Sequence, residues 1–198
     1  MLSHPVPPGR QNRVMASTTA LVALLRGVNV GGRTLPMAEL REVVAGCGYG
    51  DVRTYIQSGN VVFTAPGSPK DVEVAETIED ALAAATPLAP AVVVRTGPQL
   101  AAVIEANPFL RRGEDPAHLH VTFGAGTGDA EVGIDDLARY APEEVAAVGR
   151  EVYLFLPNGM GRSKLAADFA RRGGATGTTR NWRTVTKLLA MVDEAGGG

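Results

Sequence analysis

Six consecutive apolar residues, Ala20 to Leu25, stop at Arg26 and run straight into Gly27-Val28-Asn29-Val30-Gly31-Gly32-Arg33. No other stretch restricts the fold as tightly. A short apolar run with no polar residue in it reads as a strand covered on both faces, hence central in its sheet. A glycine-rich polar turn leaves the strand's end, and Pro36 suits the first turn of a following helix. Met37, Leu40, Val43, Val44 and Cys47 then recur at helical spacing until Gly46, Gly48 and Gly50 end the period.

The same kind of reading carries down the chain. Val52–Ile56 and Val61–Thr64 are short strands around Gln57-Ser58-Gly59-Asn60, whose Gly-Asn pair signals a hairpin. Ser68-Pro69 reads as an N-cap and first-turn pair for a helix with Val74, Ala75, Ile78, Leu82 and Ala85 on one side. Ala91–Arg95 is another buried strand. The order so far is β-α-β-β-α-β, that of a ferredoxin-like unit. A short helix from about Pro98 to Ala106 stops ahead of Pro108. Leu119–Phe123 is a strand, Gly124–Gly128 a loop, and Ile134–Val148 a weakly helical, acidic stretch. Val152–Leu156 is a strand, Ser163 caps a helix to about Arg172, and a Gly/Thr-rich loop leads to a last helix from Arg180 to about Glu194.

The expected class is therefore α+β, with a first ferredoxin-like half at 18–96 and a second, incomplete one at 97–194 packed on it. Residues 1–17, with three prolines and no apolar period, read as a disordered leader, and 195–198 as a glycine tail. Met15 stands just ahead of the first ordered segment and is a candidate start. A chain of 198 residues can bury its core without disulfides or metals. One cysteine excludes an internal disulfide and suits a reducing cytoplasm. No apolar run approaches the ~20 residues of a membrane span, and no signal peptide is visible. A net charge of −2 gives no global pull towards nucleic acid or membrane, although the charge is uneven. Seven basic residues face one acid between Met160 and Lys187, and six acids face two arginines between Glu131 and Glu151.

Four constellations carry chemistry. In the Arg26–Arg33 loop, glycines let backbone N–H groups approach a ligand, and arginines can clamp a carboxylate or phosphate. It is equally what a tight strand-to-helix connection needs, and it matches neither the Walker nor the dinucleotide pattern. Asn158 to Leu165 puts glycines, Arg162, Ser163 and Lys164 at a helix start, an anion site by dipole and free amides, or an ordinary N-cap after a turn. On the last helix Arg180, Arg183 and Lys187 fall within about 60° of arc, opposite Trp182, Val185 and Leu188. Such a stripe is by default a solvated face; Asn181 suits a ligand or a cap. His118 and His120 share a strand face but have no further metal ligands nearby, so they read as structural or surface histidines. Cys47 has no base partner, and no cofactor motif, triad or metal spacing can be assembled.

Leu25-Arg26-Gly27-Val28-Asn29-Val30-Gly31-Gly32 with Pro36-Met37-Ala38-Glu39-Leu40-Arg41, the run Val52 to Phe63, Asn158 to Leu165, and Thr179 to Leu188 together resemble the bacterial domain-of-unknown-function family 1697. The resemblance spans Thr19 to about Val192. It implies an α+β fold of two intertwined ferredoxin-like halves, and it implies no activity, substrate or catalytic residue.

The leading expectation is a protein that binds a small phosphorylated or otherwise anionic ligand. The residues for it are Arg26, Asn29, Arg33, Ser58, Asn60, Arg162, Ser163, Lys164, Arg180, Asn181 and Arg183. Alternatives are nucleic-acid binding through the sheets, an enzyme using Ser58 or Tyr55 on an anion, and an interaction module using Glu131–Glu151. The RNA reading lacks the RNP pattern, and Tyr55, Phe63, Tyr153 and Phe155 are scattered over different strands.

Overall fold

A computed structural model describes residues 17–32, 34–172 and 177–197. Strand β1 (Thr18–Leu25) is followed by α1 (Met37–Gly46), β2 (Gly50–Tyr55), β3 (Asn60–Pro66), α2 (Asp71–Ala85) and β4 (Val92–Thr96). Helices α3 (Gly97–Ala106) and α4 (Pro108–Arg111) lead to β5 (Leu119–Phe123), β6 (Glu144–Val148), β7 (Glu151–Phe155), α5 (Lys164–Arg172), β8 (Thr178–Asn181) and α6 (Trp182–Gly196). The strands form two antiparallel four-stranded sheets, ordered β2-β3-β1-β4 and β6-β7-β5-β8. The second order is the first repeated, strand for strand. The chain is thus α+β, and β1 is central as its apolar run required.

Three layers of apolar packing hold the sheets. Leu21, Ala23 and Leu25 of β1 face Leu40 and Val44 of α1 and Val74, Ile78 and Leu82 of α2. The alternate residues Val22 and Leu24, with Val62 and Val93, face the opposite way, because side chains alternate along a strand. There they meet Leu100 of α3, Trp182 and Leu188 of α6, and Val121, Phe123 and Tyr153 of the second sheet, in one core shared by both halves. The outer face of the second sheet packs Val152 and Leu154 on Leu165 and Phe169 of α5.

Several expectations need correction. Ile134–Val148 holds no α-helix: a single 3-10 turn, Ala138–Tyr140, precedes strand β6. Pro142 lies mid-run, where a helix would need its N–H, and β7 offers β6 a ladder to complete. The last helix begins at Trp182, not Arg180. Thr178 to Asn181 pair with β5 instead, and the Asn181 side chain accepts the Thr184 N–H at 2.8 Å, which fixes the helix start. The helix then continues through Gly196, into the expected glycine tail. Helix α2 begins at Asp71 with Lys70 as its N-cap, so Ser68 does not cap it. His118 closes a 3-10 turn ahead of β5, so it does not share a strand face with His120. The leader lies outside the described residues, Ser17 excepted. No described helix is long and apolar enough to cross a membrane.

Candidate functional site

The loop after β1 is shaped by left-handed backbone. Gly27 (φ 67°), Asn29 (φ 55°), Gly31 (φ 60°) and Gly32 (φ 83°) all adopt it, a conformation cheap for glycine and tolerable for asparagine. Asn29 is held there by its own side chain. Its Nδ2 donates to the Leu35 and Gln57 carbonyls at 3.1 and 2.7 Å, while Oδ1 accepts the Leu35 N–H at 2.9 Å. Asn29 is therefore a staple that fastens the loop to the β2–β3 hairpin, and its polar atoms are already in use. Arg33 lies outside the described residues.

The two sheets are locked together by a pair of arginines in equivalent places. Arg95, in the last strand of the first sheet, reaches across to the second half. Its Nε donates to Glu151 Oε1 at 3.0 Å, Nη1 to the Val94 carbonyl at 2.9 Å, and Nη2 to the Gly124 carbonyl at 2.8 Å. Arg180, in the last strand of the second sheet, reaches back to the first half in the same pattern. Its Nε donates to Asn60 Oδ1 at 2.5 Å, Nη1 to the Thr179 carbonyl at 2.9 Å, and Nη2 to the Leu25 carbonyl at 2.8 Å. Glu151 opens β7 as Asn60 opens β3, and Gly124 and Leu25 occupy matching places at the ends of β5 and β1. The residue after each arginine caps a helix: Thr96 for α3, Asn181 for α6.

The correspondence fails at one atom type. Arg95, 2 % exposed, faces a carboxylate; Arg180, 7 % exposed, faces a carboxamide. The remaining donors of Arg180 go to Thr178 Oγ1 at 2.6 Å and the Ser58 carbonyl at 2.9 Å, all neutral. Burial pushes the Arg180 guanidinium down to about 10, so it stays charged at neutral pH with no carboxylate partner among the described residues. Arg95 is also lowered by burial, but there the Glu151 charge works against the shift.

A cleft of about 590 Å³ opens beside Arg180. Arg26, Gly27, Val28 and Val30 of the loop and Ser58 of the hairpin form one wall, and Gly177 to Asn181 run along its floor. His120, Leu154, Met160, Ala166, Phe169 and Ala170 form the other wall. No acidic side chain lines it among the described residues. Arg26 is exposed and its guanidinium has no partner among the described residues. Burial holds His120 below its ordinary pKa, so the imidazole is neutral at pH 7. Its Nδ1 is buried without a partner among the described residues.

Of the expected site residues, the fold brings Arg26, Ser58, Arg180 and Asn181 to this cleft. Asn60 stands behind them, buried, holding Arg180 and donating to the Tyr55 carbonyl and Ser58 Oγ. Arg162, Ser163 and Lys164 do not join. Ser163 Oγ accepts the Ala166 N–H at 2.9 Å, and Glu143 Oε2 accepts the Leu165 N–H at 3.1 Å, so the start of α5 already has its anion from within the chain. Arg183 and Lys187 are solvent-exposed on α6 and line none of the cleft. The sequence reading missed Arg95 and Glu151, which no motif marks, and it missed Thr178, Thr179 and Phe169. It read His120 as a structural or surface histidine, and the residue lines the cleft.

The fold and cleft define an α+β protein of two like-ordered antiparallel sheets with a cationic crevice at their junction. The chain belongs to the family described as protein of unknown function (DUF1697), whose profile matches residues 18–153. Among solved structures it is similar to the conserved bacterial protein SP0830 from Streptococcus pneumoniae, at 21% identity and a TM-score of 0.69. That similarity covers 89% of this chain and 99% of the other, and it speaks to the fold. No curated protein matches the sequence.

Proposed function

We infer that the protein binds a small anionic ligand, phosphorylated or carboxylate-bearing, in the cleft beside Arg180. The carrying observation is the substitution of Asn60 for an acid where the equivalent position holds Glu151. A buried guanidinium is costly without a counter-charge, and here the cleft is where one can enter. Arg180 has its donors committed to carbonyls and side-chain oxygens, so it acts through its charge. Direct contacts fall to Arg26 and to the Ser58 hydroxyl, which accepts from Asn60 and keeps its own O–H to donate, in a crevice with no acid among the described residues to repel the ligand. The nucleic-acid reading has less behind it, because among the described residues Phe169 is the one Phe, Tyr or Trp bordering the cleft, and it is buried.

Calorimetric titration with inorganic phosphate and with acetate, at low ionic strength, tests the reading. Saturable binding is expected, weakened about tenfold or more by Arg26→Ala and by Asn60→Asp, the latter installing the counter-charge from inside. No saturable binding of either ion, or unchanged affinity in both variants, would overturn it.

A further inference from the structure

The cleft has two chemically different ends, and the distance between them is set by strand spacing. Asn181, His120 and Leu154 are direct cross-strand neighbours on β8, β5 and β7, which places them in one row across the outer face of the second sheet. Two interstrand spacings make that row about 10 Å long. Its Asn181 end adjoins Arg180 and the Arg26 loop. Its Leu154 end adjoins Met160 and Phe169, and among the described residues lining it there is no side-chain hydrogen-bonding group. Val30 of the Arg26 loop also lines the cleft and is 60% exposed, the most exposed of the large apolar side chains among the described residues.

We propose that the ligand is an amphipathic anion, a carboxylate or phosphate head carrying an apolar body, with the head at Arg26 and Ser58 and the body laid along Leu154, Met160 and Phe169. This rests on the anion-binding reading and adds the chemistry of the rest of the ligand. An apolar body gains from leaving water against such a wall. A nucleobase or sugar would have to leave its hydrogen-bonding edge unpaired there, which is penalised. The neutral His120 in mid-row tolerates an apolar neighbour, as an imidazolium would not.

The test is a chain-length series, acetate, butyrate, hexanoate and octanoate, beside inorganic phosphate, octyl phosphate and adenosine monophosphate, titrated into the full chain. Affinity should rise by up to about fourfold for each methylene buried, and octyl phosphate should exceed phosphate by at least tenfold. The octanoate and octyl phosphate arms say which head the site prefers. Met160→Gln should remove the gain from the alkyl chain while leaving inorganic phosphate bound as before; Ala170→Gln, at an exposed helical position, is the second variant should Met160→Gln melt early. Equal affinity for short and long anions would overturn the proposal and leave the anion reading standing. Adenosine monophosphate binding as tightly as octyl phosphate would do the same. Binding of octanol as tight as octanoate, or no binding by any probe, would overturn both.

Discussion

Arg95 and Arg180 make the same three hydrogen bonds with the same nitrogens, yet one is charge-balanced and the other is not. The comparison supplies its own control. Glu151→Gln would keep an oxygen for Arg95 Nε, as Asn60 does for Arg180, and remove only the charge. A loss of roughly 2 kcal/mol in urea unfolding is expected, below the 3–5 that follows when a buried partner is deleted outright. If that variant is as stable as the native chain, carbonyl oxygens alone suffice for a buried guanidinium, and the missing acid at Arg180 signals nothing. His120 gives a second prediction at this scale. Its folded pKa lies below the ordinary 6.5, so the unfolded chain binds its proton first as pH falls. Stability is full above about 6.5 and is lost as pH drops through the folded value. Asp71, Glu144 and Asp168, lowered mainly by arginine or tyrosine partners once burial is overcome, lose theirs only at more acidic pH. His120→Asn should flatten the loss just below pH 6.5 in thermal melts and leave the more acidic one in place.

At the scale of elements, the cleft's first wall depends on how closely the β2–β3 hairpin lies on the end of β1. Gly59 has φ +72°, and a Cβ there would sit 2.4 Å from Val28 Cγ2 and 2.9 Å from Leu25 Cβ. Backbone strain and overpacking therefore add. Gly59→Ala should cost about 2–4 kcal/mol in chemical denaturation. It should also weaken phosphate binding, because Ser58 and the carbonyls that seat Arg180 move with the hairpin. The hairpin and the loop-bearing strand were readable from the Gly-Asn pair and the apolar run. Strand β8 was not: Thr178-Thr179-Arg180-Asn181 is too short for a periodic signal, and the helix read from Arg180 onward took in its last two residues. Strand β6 pairs with β7 across a two-residue turn, Gly149-Arg150, yet it was hidden because its own residues, Glu144 to Val148, include little that declares a strand.

For the molecule as a whole, the shared core decides cooperativity. Val22, Leu24, Val62 and Val93 of the first sheet share one cluster with residues of α3, α4, α6 and the second sheet. A chain ended after Gly113 would keep α3 and α4 but strip α6 and the second sheet from these residues, losing about 25 cal/mol for each Å² left uncovered. Such a fragment should lack a cooperative melt by circular dichroism, while the full chain unfolds in a single calorimetric transition with matching van't Hoff and measured enthalpies. Two separated transitions would mean that each half is stable without the other.

Local order came from the sequence by itself. Apolar runs, helical periods and glycine or proline stops act between near neighbours, so β1, the hairpin, α1, α3 and β5 stood out from residues alone. Only the tertiary structure could decide what Arg180 is. Its neighbours Leu25, Ser58 and Asn60 lie more than a hundred residues earlier, and the equivalence with Arg95 exists only once two sheets of the same order have formed. The identity of a charge's partner is a matter of distance in space, and no pattern along the chain records it.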